Sequence, residues 1–81
     1  MKTSILKTLS KYGKLEQMTE RNTTPNIIYW RLDVFKEFTK KANALCRDFN
    51  KRFDTYNFRS CQTTINTETK TFIYIYKKHY E

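Results

Sequence analysis

Apolar residues recur at steps of three and four near the start of the chain: Ile5, Leu6, Leu9, Tyr12, Leu15 and Met18. That period gathers them on one side of a helix over residues 4–18, with Thr3 or Ser4 as its cap. Gly13 falls inside the pattern. It costs about 1 kcal/mol relative to Ala and so marks a kink, or a break between two short helices. Polar residues 20–26 predict a loop. After it, residues 26–32 are dense in β-branched and aromatic side chains and predict a strand, with Asp33 capping the next element. From Val34 to Phe53 the helical period returns, with Phe35, Phe38, Ala42, Leu45 and Phe49 in one stripe and Cys46 and Phe53 at its edge. A competing parse starts this helix at Thr24, with Pro25 in the first turn, and carries it through to Phe53. Strand followed by helix is the preferred reading.

The last third alternates with period two. Along residues 71–78, Ile73 and Ile75 share one face while Phe72, Tyr74 and Tyr76 share the other. Residues 58–65 are the natural partner strand, with a turn around residues 66–69. Pairing Ile65 with Thr71, Thr63 with Ile73 and Cys61 with Ile75 would collect the aliphatic residues of both strands on one side. The expected fold is a small single α+β domain over residues 1–81. It has an N-terminal helix, then strand-helix-strand-strand, with a three-stranded sheet that ends in a C-terminal β-hairpin.

Charge changes the picture more than length does. The chain has 81 residues, enough for one domain with a small core. Sixteen Lys and Arg stand against eight Asp and Glu, a formal net charge of +8. Such an excess points to a polyanionic or strongly acidic partner. The longest apolar run, Ile27-Ile28-Tyr29-Trp30, is far short of the roughly 20 residues that span a bilayer. Lys7 follows Ile5-Leu6 too soon for a signal-peptide core of about 7–15 residues. The expected compartment is the cytoplasm, a host's if the chain is virus-encoded.

Catalytic constellations are scarce. His79 is the single histidine and lies near the end of the chain. Cys46 and Cys61, fifteen residues apart, form neither a zinc ligand set nor a disulfide framework, and both read as buried, inert thiols in a reducing compartment. Glu16/Glu20 and Asp33/Glu37 have helical spacing, but one such pair is too few ligands for a metal site, and ordinary solvated surface accounts for them. One glycine cannot build a phosphate-binding loop. No enzyme, metal or cofactor is expected.

Two features fit a nucleic acid. On a helix over 33–53, Lys36, Lys40, Arg47 and Lys51 line up almost opposite the apolar stripe. A wet helix face usually mixes signs, whereas this line is all positive, suited to holding phosphates. A second basic line, Lys7, Lys11 and Lys14, decorates the first helix. On the last strand, Lys70, Phe72, Tyr74, Tyr76 and Lys78 share one face, with Arg59 and Lys77 nearby. Rings framed by cations on a sheet stack unpaired bases while neutralising the flanking phosphates. The same rings could instead be core, because alternation shows which side chains travel together and not which face is wet.

Residues 14–32 also resemble a helix-turn-helix: a short helix, a turn near Asn22-Thr23, then Thr24–Leu32 as a recognition helix started by Thr24-Pro25 and packed by Ile28. The chain departs from that pattern at Met18, where the family has a small residue. Asn22 replaces the turn glycine, and Arg31 stands at an apolar anchor. The resemblance implies a winged-helix DNA-binding protein, with residues 58–78 as the wing and Tyr29 and Arg31 against bases. In composition the chain resembles the small basic early or accessory proteins of large tailed phages, rich in Lys, Asn, Thr and aromatics and poor in Gly. That resemblance implies binding to a host enzyme or its RNA. The leading expectation is a non-enzymatic RNA-binding protein whose contacts come from Lys36, Lys40, Arg47, Lys51, Arg59, Lys70, Phe72, Tyr74, Tyr76 and Lys78. The alternatives are an inhibitor of a host nuclease or ribonuclease toxin, direct or through bound RNA, and the winged-helix protein.

Overall fold

A computed structural model describes residues 2–20 and 27–78. Two helices and a four-stranded antiparallel sheet make up an α+β fold, with one strand more than the pattern predicts. The elements are α1 (Thr3–Ser10), β1 (Gly13–Glu20), β2 (Ile27–Val34), a 3₁₀ helix (Lys36–Lys41), α2 (Ala42–Arg52), β3 (Tyr56–Ile65) and β4 (Glu68–Lys77). The strands lie in the order β1-β2-β4-β3. No helix among the described residues is long and apolar enough to cross a membrane.

The extra strand comes from the segment expected to extend the first helix. Ile5 and Leu9, one turn apart, are the buried residues of α1, which ends at Ser10. Gly13 then pairs with Val34, and a Cβ built on it would lie 2.3 Å from the Asp33 carbonyl oxygen. Only glycine lets the two backbones approach this closely. The Phe35 N–H donates to the Tyr12 carbonyl at 2.8 Å and closes that end of the pair. Beyond Gly13, Leu15 lies opposite Leu32 and Met18 opposite Tyr29.

A strand forms where the sequence predicts one over 26–32, but it runs from Ile27 to Val34, so Asp33 pairs with Lys14 and Phe72 instead of capping the next element. The parse that carries one helix from Thr24 to Phe53 is overturned over its described part. The helix-turn-helix resemblance fails for the same reason: residues 14–20 and 27–32 are paired strands, not helices. Its turn, and Pro25, lie outside the described residues, as does His79.

The expected helix over 34–53 divides in two. Phe35, in extended conformation, precedes the 3₁₀ helix, and Phe38 donates back to its carbonyl at 2.8 Å. The three-residue pitch turns Phe38 edge-on to Tyr12, with centroids 5.0 Å apart. Phe35 is left 44% exposed instead of joining the core stripe. In α2 the stripe holds: Ala42, Cys46 and Phe49 are buried. Leu45 and Phe53 pack at the core's margin.

The β3–β4 register also differs from expectation. Asn66 and Thr67, both with positive φ (51° and 66°), make a two-residue turn. That is the twist-compatible form of hairpin connection, and it sets Ile65 opposite Glu68, Cys61 opposite Phe72 and Phe58 opposite Ile75. The faces of β3 are therefore exchanged. Phe58 joins Ile73 and Ile75 in the core, whereas Cys61, expected to be buried, is exposed. The core lies between this side of the sheet and the helices: Ile5, Leu9, Leu32, Phe49, Phe58, Ile73 and Ile75 all contribute.

Candidate nucleic-acid interface

The helices cover one side of the sheet, where Leu32, Phe58, Ile73 and Ile75 point. By alternation, Tyr29, Arg31 and Asp33 of β2, Phe72, Tyr74 and Tyr76 of β4, and Arg59 and Cys61 of β3 project from the other side. None of these belongs to the core cluster. The cross-strand partners bring the rings together, since Tyr29 lies opposite Tyr76 and Arg31 opposite Tyr74. Tyr29 stacks on Tyr76 with centroids 4.9 Å apart and planes 18° from parallel, and its centroid is 6.3 Å from that of Tyr74. All three tyrosines are half-buried, so each offers a wet surface on an otherwise packed ring.

Arg31 organises the patch. Its Nη2 donates to Glu16 Oε2 at 2.8 Å, and its guanidinium lies 4.8 Å from the centroid of the Phe72 ring. The Glu16 carboxylate holds the arginine pKa above its ordinary value against the opposing effect of burial, and Tyr74 adds to the rise. Arg31 Nε is buried and has no hydrogen-bond partner among the described residues. Phe72, expected as a stacking ring, is only 8% exposed. It is the floor under Arg31 and Tyr74, not a free platform. Arg59, paired across from Tyr74, and Lys70 are exposed at the edges of this face, and Lys78 beyond β4 is half-buried.

The predicted helical cations fall elsewhere. Lys36, Lys40, Arg47 and Lys51 are all exposed, but Arg47 and Lys51 belong to α2 in the helical layer, across the sheet from the tyrosines, whereas Lys36 begins the 3₁₀ helix and lines a cleft at the sheet's end with Lys14 and Lys70. Lys36 and Lys40 belong to the 3₁₀ helix, whose three-residue pitch takes them out of line with Arg47 and Lys51. The basic face of α2 and the aromatic strand thus form two surfaces, and a single strand lying flat on one does not touch the other. In the sequence, Tyr29 and Arg31 stand out only through the helix-turn-helix resemblance. The signal that marks them for this face is the alternation of β2 itself, Tyr29-Arg31-Asp33 against Ile28-Trp30-Leu32-Val34.

No family model matches the chain, and neither does any curated protein or solved structure. What defines the molecule is thus its own geometry: a small α+β domain whose antiparallel sheet has helices on one side and a tyrosine–arginine patch on the other.

Proposed function

We propose that the protein is a non-enzymatic binder of single-stranded RNA and that the open side of the sheet is its binding surface. One observation supports this above the rest: Tyr29, Tyr74 and Tyr76 cluster on the side away from the helices, with Arg59 and Lys70 at the edge. Unpaired bases stack on such rings whatever their sequence, and the neighbouring cations neutralise phosphates. The net charge of +8 adds long-range attraction for any polyanion.

Fluorescence anisotropy with a labelled oligouridylate tests the reading. At low salt the strand binds, and an RNA duplex, whose bases are already stacked, binds more weakly. Tyr29→Ala and Tyr74→Ala should each lose about 1–3 kcal/mol of binding while retaining a cooperative thermal transition, because neither ring is in the core. Unaltered affinity in both folded variants would dismiss the open face as the site.

A further inference from the structure

β2 and β4 pair as far as Asp33 and Phe72 and no further. Beyond that point β2 turns away through Phe35 into the 3₁₀ helix, whereas β4 extends back to Glu68 as part of the β3–β4 hairpin. The divergence opens a cleft of about 600 Å³, a volume typical of small-ligand sites. Three lysines from three elements line it: Lys14 of β1, Lys36 of the 3₁₀ helix and Lys70 of β4. Phe35 lines it as well, and its 44% exposure leaves a large apolar ring available there. Asp33 and Glu68 are the carboxylates of the lining. The ion pairs among the described residues are Arg31–Glu16 and Arg52–Asp48, so neither carboxylate makes a close ion pair with any of the three lysines, although Asp33 faces Lys14 across the strand pair.

We infer that this cleft receives the terminal nucleotide of a bound RNA strand, with the lysines on a terminal phosphate and Phe35 against the base. The inference rests on the open-face reading above, because Lys14, Asp33 and Lys70 belong by alternation to the same side of the sheet as the tyrosines. From Tyr29 to Asp33 is four residues along β2, about 13 Å at a strand's rise, so a strand stacked on the tyrosines runs directly into the cleft. Charge selects the end over the middle. An internal phosphodiester carries one negative charge, whereas a phosphate monoester carries about 1.5–2 near neutral pH, and three unpaired lysines suit the latter. The threonines of the lining and the two carboxylates add acceptors for ribose hydroxyls and exocyclic amines.

The test compares one short oligouridylate in three forms: 5′-phosphorylated, 3′-phosphorylated and with both ends hydroxyl. A terminal phosphate on one end should tighten binding about tenfold, the scale of one or two charge-assisted hydrogen bonds. Lys36→Gln should abolish that gain and leave the affinity for the hydroxyl-ended strand almost unchanged, since Lys36 lies outside the tyrosine face. Equal binding of all three forms to the wild-type protein would overturn the cleft assignment while leaving the open-face reading in place. Binding of none of them would overturn both. A Lys36→Gln variant that weakens every form equally would reduce Lys36 to a general electrostatic contributor and also contradict the inference.

Discussion

Arg31 serves three neighbours at once: the Glu16 carboxylate, the Tyr74 side chain and the Phe72 ring beneath it. With 30% and 41% of the two side chains exposed, the ion pair itself contributes only about 0–1 kcal/mol. Its larger effect is positional, because a guanidinium held over Phe72 braces the tyrosines beside it. A charge already neutralised by Glu16 is also a poor phosphate ligand, which leaves that role to Arg59 and Lys70. The two thiols differ in their surroundings. Cys46 is buried against the core, and burial pushes its thiol from an ordinary 9.0 up to about 11, with a Ser60 hydrogen bond pulling the other way. Cys61 is exposed. A thiol reagent at pH 8 should therefore label Cys61 quickly and Cys46 only on unfolding. The folded state keeps the Cys46 proton over a range where the unfolded chain has lost it. Its contribution to stability is accordingly intact below about pH 9 and falls away as pH rises through about 11. Denaturant melts across that range should show a steeper loss for the wild type than for Cys46→Ala. Equal losses would mean that the thiol is not shielded.

Among the elements, β3 is the most informative, because it is an edge strand and yet partly sealed. Asn50 of α2 accepts from the Phe58 N–H at 2.8 Å and donates to the Phe58 carbonyl at 3.1 Å. One side-chain amide thus does for the edge what another strand would do, and pins α2 to the sheet beside the Phe49–Phe58 contact. Asn50→Ala leaves both backbone groups without that partner and should cost about 1–3 kcal/mol in chemical denaturation, with the far-ultraviolet spectrum unchanged. Asn50→Asp, which keeps the acceptor and loses the donor, should fall between. The same strand shows where the sequence stops being informative. The alternation of Phe72 to Tyr76 is unambiguous, and the structure retains it. The register of β3 is not, because it depends on a two-residue turn in which Asn66 and Thr67 both take positive φ, a conformation foreign to a β-branched threonine. Residues 13–20 are ambiguous for another reason: Leu15 and Met18 satisfy a helical step and a two-faced strand equally well. The close approach of Gly13 to Asp33, visible only once the two strands meet, decides between them. Phe35 fits the helical stripe in sequence and leaves it because a 3₁₀ turn, not an α turn, follows.

Across the whole molecule, the sheet separates two populations of positive charge. Arg47 and Lys51 face solvent from α2, while Arg59 and Lys70 border the tyrosines on the opposite side. Composition reports their sum, and only the fold assigns each to a side. The central claim, that RNA lies on the open side, is tested most directly by the salt dependence of binding to a hydroxyl-ended oligouridylate. Each phosphate neutralised on a single strand contributes about −0.7 to the slope of log K against log salt. Replacing both Arg59 and Lys70 by Gln should flatten the slope by about 1.4 on that basis, and replacing both Arg47 and Lys51 should leave it unchanged. A slope flattened by the α2 pair and unmoved by the Arg59/Lys70 pair would place the nucleic acid on the helices and contradict the account.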